Sequence, residues 1–385
     1  MKVTIIGASA SGLFTAYLLA KEGVSVEVYE RGDVLNWAPR MLIVTSKINE
    51  VLDFAPEEAI MNRVRYIELF SRSRSVRLEL SSPDLVVERA KLLNFLARLA
   101  EEAGAKFVFN HQFEGFAKFG RKIALSLRNL ETGEEHGSST DILIGADGAL
   151  SAVARAASCN GHRLLALLQT KVSLPRSARP DTSQVWFDPD RTKYFYWLIP
   201  ESDQVATVGL IAEDPKRAES ELKAFLQQRH LEPLEFQSAP VPMHRFGLMN
   251  SALGDNRNVF IVGDAAGQVK GTTVGGLVPG LHGAKALATA ILNGGNYRKE
   301  LRELKLELDL HLLVRRVLNW FDERDYDELI AMLKGGLKNI LEESTRDALS
   351  ETLLSLILKE PRLITLGAKA FFRLILRNSI QPSWN

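Results

Sequence analysis

Residues 3–12 read VTIIGASASG: a short apolar run ending in glycine, three small residues either side of Ser9, and a second glycine. An apolar strand that runs straight into such a turn is the pattern with which a βαβ unit that grips a nucleotide phosphate begins. The middle glycine of the usual G-x-G-x-x-G is here Ser9. Gly7 would permit the tight turn and Gly12 the close packing of helix on strand. Ser9 adds only a small side chain, so the backbone still has room to approach a pyrophosphate. Ala10 and Ser11 would open a helix whose first N–H groups face that anion. Glu30 closes a second apolar run, VSVEVYE (24–30), eighteen residues after Gly12, and Arg31 follows it. A carboxylate there would accept hydrogen bonds from ribose hydroxyls. On these residues alone the stretch is either a dinucleotide site or an incidental glycine-rich turn.

At 385 residues the chain is long for one hydrophobic core, so two intertwined domains or one large α/β domain with an appendage are expected. Charged residues make up 25% and the formal net charge is +1, without the basic excess that binds nucleic acid non-specifically. The single cysteine, Cys159, excludes an intramolecular disulfide, a multi-cysteine zinc site and a CxxC pair, and fits a reducing, cytoplasmic compartment. The seven histidines show no HExxH-type spacing, so no metal is expected. No run of about 18 apolar residues occurs, and the sequence opens on a strand, so neither a spanning helix nor a signal peptide is expected.

Along the chain, residues 2–7 read as a strand, 11–22 as a helix and 24–30 as a second strand. Residues 34–83 are less regular. Helical spacing over 85–103 stops at Gly104, and an antiparallel insertion follows around the turn ETGEE. DILIGADG (141–148) and VFIVGDAAG (259–267) repeat the design of an apolar strand ending in a small, polar turn. Residues 165–250 carry several β-rich runs and one helix, ESELKAFLQQRH. From Tyr297 the pattern is almost wholly helical, with breaks at Gly335-Gly336 and Pro361.

GASASG with Glu30, GADGALSAV (145–153), YFYWLIP (194–200) and GDAAGQVKGTTVGG (263–276), in this order over residues 1 to about 300, resemble the geranylgeranyl reductase family, within the flavoproteins of the aromatic-hydroxylase fold. The resemblance implies a mixed α/β (α+β) chain. Residues 1–45, 84–160 and 255–296 would form a Rossmann-like FAD-binding domain, 46–83 and 161–254 a β-sheet substrate domain, and 297–385 a C-terminal helical region. FAD is the implied cofactor. Gly263 and Asp264 would meet its ribityl chain, although aspartate is also a common helix N-cap. Gly275 and Gly276 would pass their N–H groups close to the flavin ring. Asp147 and Gly148 would serve the pyrophosphate, or form a plain Asp-Gly turn. Arg89 would meet the diphosphate, with Arg40 as a weaker candidate; a solvated helix residue is the bland alternative for Arg89. Phe195, Trp197 and Pro200 match the family's substrate-pocket motif, with Ile199 where the family prefers an aromatic; aromatic strands are also common in cores.

The sequence departs from the family in three places. Residues 33–47 lack the cysteine that many archaeal members carry, which excludes a thiol proton donor there. Gly271 stands where proline is common, and Val274 where glycine is common. Tyr196 and His282 are weak candidates for the proton donor; His244 is another histidine near the expected pocket. The implied activity is reduction of carbon–carbon double bonds in an isoprenoid lipid by hydride from reduced FAD, in membrane lipid biosynthesis. NAD(P)H or a ferredoxin-type donor would supply the electrons. The alternatives are an NAD(P)H-dependent monooxygenase of the same fold and a non-catalytic flavin electron carrier or lipid-binding protein. Residues 352–377 mix apolar and basic residues with almost no acids, as expected of a helix lying peripherally on a membrane or packing on the rest of the protein.

Overall fold

The computed structural model describes residues 1–33, 37–159, 161–246 and 258–380, with side chains as far as 373. The expected domain boundary at 254/255 lies outside the described residues. The chain forms two compact units, each assembled from three segments: 1–60, 87–164 and 241–309 in the first, and 61–86, 165–240 and 310–385 in the second. The helical stretch that begins at Tyr297 is thus divided between them.

The first unit is built on a parallel sheet in the order Val259–Ile261, Ile142–Gly145, Lys2–Ile6, Ser25–Tyr29, Lys106–Val108. Lys2–Ile6 is central, and its apolar run KVTII is buried from Val3 onward, as a strand covered on both faces requires. The helix Ala10–Lys21 follows at once and packs against Leu277–Leu292 and Arg89–Glu102. A separate antiparallel sheet, His111–Phe119, Lys122–Asn129 and Glu135–Thr140, is the expected insertion. The helix read over 85–103 begins only at Arg89. Leu85–Glu88 belong to the strand Ser75–Glu88, whose β-branched pair Val86 and Val87 is fully buried. Glu88 then caps the helix by accepting from the N–H groups of Ala90 and Lys91.

In the second unit the strands Phe236–Pro242, Leu164–Ser173, Val205–Ala212, Tyr196–Pro200, Thr182–Trp186, Ile60–Phe70 and Ser75–Glu88 lie side by side in that order. The helix Pro215–Gln228 starts at the cap Asp214 with Pro215 in its first turn, and covers one face through Leu222, Phe225 and Leu226. The helices Glu323–Lys334 and Arg362–Ile380 pack on Val76 and Leu78.

Candidate functional site

In the first unit, the parallel strands Lys2–Ile6, Ile142–Gly145 and Val259–Ile261 are neighbours, so the turns that follow them lie together. Gly7 adopts φ +98°, and a Cβ there would come within 2.7 Å of the Ala146 carbonyl oxygen and the Asp147 Cα. A Cβ on Gly12 would meet the Gly7 oxygen at 2.5 Å. The two outer glycines of the turn are therefore required by close backbone approach. Ser9 is the helix N-cap: its hydroxyl accepts from Gly12 N–H at 3.3 Å. Accepting leaves its proton for a second partner. Ala10 is the first helical residue. Ser11 is buried, and its side chain packs where Cβ atoms on Gly263 and Gly280 would have to sit. What Ser11 offers a ligand is its backbone N–H.

The Glu30 carboxylate accepts from Ala8 N–H at 2.8 Å and from Gly32 N–H at 3.1 Å, so it ties the end of the second strand to the glycine turn. Two bonds leave lone pairs for hydroxyl donors. Arg31 beside it is exposed. Arg40 and Arg89 are linked through the backbone, Arg89 N–H donating to the Arg40 oxygen at 2.9 Å. Both feel the Asp264 carboxylate. Burial, with the charge of Arg89 adding to it, lowers the Arg40 guanidinium to about 10 against the pull of Asp264. Burial also lowers Arg89. Burial raises the Asp264 carboxyl while both arginines hold it down. Asp264 retains some solvent contact although its surroundings are crowded. A Cβ on Gly276 would press on its Oδ1 at 2.7 Å, so Gly276 makes the room the carboxylate occupies. Gly275 lies over the stem of Lys270.

Asp147 braces the start of the short helix Ala152–Ala156, whose N-cap is Ser151. Its carboxylate accepts from the Ser151 hydroxyl at 2.5 Å and from the N–H groups of Ala152 and Val153 at 2.6 and 3.2 Å. Gly148, at φ +82°, has open space where a side chain would be. His282 is half-buried on the helix Leu277–Leu292. His244 is buried and bonds to the Gly267 oxygen and to Asp309 Oδ1, 3.3 and 2.8 Å away.

Two residues of this site escape sequence reading. Gln268, fully buried, accepts from Gly263 N–H at 2.7 Å and donates to the Tyr297 hydroxyl at 3.1 Å, holding the GDAAG turn from behind. His162 lies on Gly267 and reaches the Ala265 oxygen at 3.3 Å. The glycine facing Gln268 in space, Gly283, was the available signal for the first; nothing in the sequence marks the second.

In the second unit, Tyr196 and Trp197 alternate across their strand. Tyr196 is wholly buried and stacks on Phe225 at 4.4 Å, within the layer under Pro215–Gln228. Burial, with Glu221 and Asp188 adding to it, pushes its hydroxyl far up. Trp197 points the other way, across Gly209 and Gln169, and Phe195 tilts onto it at 6.0 Å. Its indole Nε1 is buried without a partner among the described residues. The Pro200 oxygen accepts from Asn62 Nδ2 at 3.0 Å, which anchors the strand end. A proton donor on the Trp197 face cannot be Tyr196.

The residues present fit a dinucleotide with negative phosphates. The Arg40 Nε is buried without a hydrogen-bond partner among the described residues, two cations face one carboxylate, and the glycine turn exposes helix N–H groups beside them. A parallel sheet whose strand ends converge on such turns is the frame of a nucleotide-binding flavoprotein.

Comparison with known proteins agrees. Residues 1–294 match the model of the FAD binding domain family, and the chain belongs to that family. Over 366 residues it is 25% identical to the digeranylgeranylglycerophospholipid reductase of Methanocaldococcus jannaschii, covering 88% of this chain and 92% of the relative. Over 317 residues it is 24% identical to the geranylgeranyl diphosphate reductase of Synechocystis sp., covering 77% and 76%. The crystal structure of a geranylgeranyl bacteriochlorophyll reductase-like protein from Thermoplasma acidophilum superposes with a TM-score of 0.76 at 19% identity, covering 96% of this chain and 98% of that one. Aklavinone-11 hydroxylase in complex with FAD and aklavinone reaches 0.60 at 19% identity, covering 82% and 68%. The expected mixed α/β flavoprotein fold is the observed one.

Proposed function

We propose that the protein is an FAD-dependent reductase that saturates carbon–carbon double bonds in a geranylgeranyl-type isoprenoid lipid. The carrying observation is the end-to-end likeness to reductases named for geranylgeranyl substrates, which spans both compact units. Bound FAD supplies hydride from its reduced ring. The chain's own residues hold and orient it. The turn Gly7–Gly12 with Arg40 and Arg89 takes the pyrophosphate, Glu30 the ribose hydroxyls, and Asp264 the ribityl hydroxyls. The N–H groups of Gly275 and Gly276 favour negative charge beside them. Gly148 serves by leaving space, and Asp147 by holding the turn. Phe195 and Trp197 give an apolar wall suited to a polyene, with Pro200 fixing the strand end.

The test is anaerobic: dithionite-reduced protein with a geranylgeranyl lipid, followed by mass spectrometry. A product gaining two hydrogens per bond reduced supports the reading; an unchanged lipid, or a product gaining oxygen under air with NAD(P)H, defeats it. NAD(P)H and a ferredoxin-type donor are compared as electron sources in the same assay.

No helix among the described residues is long and apolar enough to cross a membrane. Leu354, Leu358, Ile364 and Phe372 are well exposed on the helices Leu349–Lys359 and Arg362–Ile380, beside Lys359 and Lys369. These exposed apolar residues are proposed to rest on the membrane that holds the lipid substrate. Flotation with anionic vesicles, lost on Phe372→Asp, checks it.

A further inference from the structure

Arg315 is the largest fully buried side chain of the protein's described residues, 1% exposed, on the helix Arg302–Leu318. Among the described residues no carboxylate lies within ion-pair distance of it. Among the described residues its hydrogen bonding amounts to one contact at 3.5 Å from Nη2 to the Tyr326 hydroxyl, and its Nε has no partner there. The Tyr194 ring lies 4.9 Å from the guanidinium carbon. The nearby Asp325 is committed elsewhere: Arg373 binds both its oxygens at 2.9 Å. A guanidinium carries five donors and a full charge, and a buried cation without a counter-ion is costly. A face-on ring and one long hydrogen bond offset little of that cost. Such a group calls for an explanation, and a bound anion supplies one.

The surroundings say what kind of molecule that is. Tyr326 stacks on Phe187 at 4.7 Å, Phe187 meets Phe195 edge-on at 6.5 Å, and Phe195 tilts onto Trp197 at 6.0 Å. A run of aromatic contacts therefore leads from the proposed polyene wall to Tyr326, the hydrogen-bond partner of Arg315, within one compact unit. His311 lies one turn earlier on the same helix face, also buried. Asn319, one turn later, has a buried amide oxygen without a partner among the described residues, and a terminal amide can present either end. An apolar wall that ends in a buried cation is complementary to an amphiphile with an anionic head. Because no ion pair among the described residues holds Arg315, turning it toward an arriving anion breaks none of these.

We propose that Arg315 is the anchor for a phosphate-type anionic group, the head of the lipid whose chain lies along Phe195 and Trp197. This rests on the isoprenoid reading above for the identity of the chain, but not for the anion site itself. The guanidinium matches two phosphate oxygens at once, which the ammonium of lysine does not.

The test uses FAD-loaded protein as wild type, Arg315→Lys and Arg315→Met. Calorimetric titration with inorganic pyrophosphate is expected to show binding to wild type, weakened about tenfold in Arg315→Lys and lost in Arg315→Met. With reduced protein, the KM for an isoprenoid diphosphate rises at least tenfold in Arg315→Met while the KM for the matching isoprenoid alcohol does not move. Arg315→Met without ligand unfolds at the same or a higher temperature, because it removes an uncompensated buried charge. A lipid-head site binds the isoprenoid diphosphate more tightly than pyrophosphate; a site for free anion binds them equally, and either shows the anion site. Equal pyrophosphate affinity in all three proteins overturns the proposal, as does a lowered unfolding temperature in both variants, which would make Arg315 a structural strut. Pyrophosphate binding that depends on Arg315 without turnover of either isoprenoid sinks the reductase reading and leaves the anion site standing. Turnover of both with Arg315→Met indifferent does the reverse.

Discussion

Tyr196 has a buried hydroxyl without a hydrogen-bond partner among the described residues, in a layer made of Phe225, Trp186 and Leu222. A buried hydroxyl left unsatisfied costs about 1–3 kcal/mol, so Tyr196→Phe should raise stability by about that much in denaturant unfolding. Turnover should be unchanged, because the hydroxyl lies on the far side of the strand from Trp197; a large fall in turnover would restore Tyr196 as proton donor. Val274 shows the opposite situation, strain retained at a site. It has φ +57° although valine is β-branched, and it is 7% exposed, with its N–H donating to the Lys270 oxygen at 2.9 Å. A left-handed backbone at such a residue costs about 1–3 kcal/mol. A buried valine changed to glycine ordinarily loses about 2–4 kcal/mol from lost packing and added chain entropy. At this position relief of strain offsets most of that loss, so Val274→Gly should change stability by no more than about 1 kcal/mol. A loss near the ordinary value in thermal or denaturant unfolding would show the backbone is not strained there. The departure from the family at this position, legible in the sequence, thus marks a conformation that the sequence could not show.

Elements were legible where their pattern is simple. The strand-turn-helix at the start is found within one residue of its expected bounds, because the strand is buried on both faces and the helix is made of small and apolar residues. Ile60–Phe70 was not legible: IMNRVRYIELF interleaves arginine and glutamate with apolar residues, and the buried positions change face between Val64 and Ile67, which breaks the period of two. The C-terminal helices have the expected breaks, and an unexpected device joins two of them. Asp322 and Asp325 form a capping box at the start of Glu323–Lys334, and Arg373 from Arg362–Ile380 binds both carboxylates. Burial opposes ionisation of Asp322, but the N–H of Asp325 and the charge of Arg373 outweigh it and hold its carboxyl below the usual range. A lowered carboxyl contributes stability that is present above the unfolded value, about 3.9, and lost as pH falls through the folded value. Arg373→Met should therefore cost about 2 kcal/mol at neutral pH and less as pH falls through the lowered folded value of Asp322 toward about pH 2. Unfolding of the variant and wild type followed at both pH values checks this, and an equal loss at both would show that Arg373 acts by packing alone.

Across the molecule, the three strand-end turns were legible because close backbone approach restricts them to small residues, which is a local property. Arg315, Gln268 and His162 were not, because their significance lies in what surrounds them after folding: the lack of a counter-ion among the described residues, the back of a turn, the face of a glycine. The same reasoning sets the behaviour of the cofactor site as a whole. Arg40 is held as a cation against burial and the charge of Arg89, with a folded value lowered to about 10. A lowered cation opposes folding at neutral pH, and that opposition is relieved only as pH rises through about 10 or when an anion arrives. On the proposed reading the phosphates of FAD are such an anion, which would link cofactor and fold. FAD at 100 times its dissociation constant should stabilise the stripped protein by about 2.7 kcal/mol. Hydrogen exchange of the stripped protein should lose protection in 1–60, 87–164 and 241–309, and keep it in 61–86 and 165–240. Arg40→Met should weaken FAD binding while making the stripped protein no less stable, since the buried charge leaves with the side chain. If FAD binds the variant as tightly, or if protection falls equally in both units, Arg40 does not face the phosphates and the glycine turn is no cofactor site.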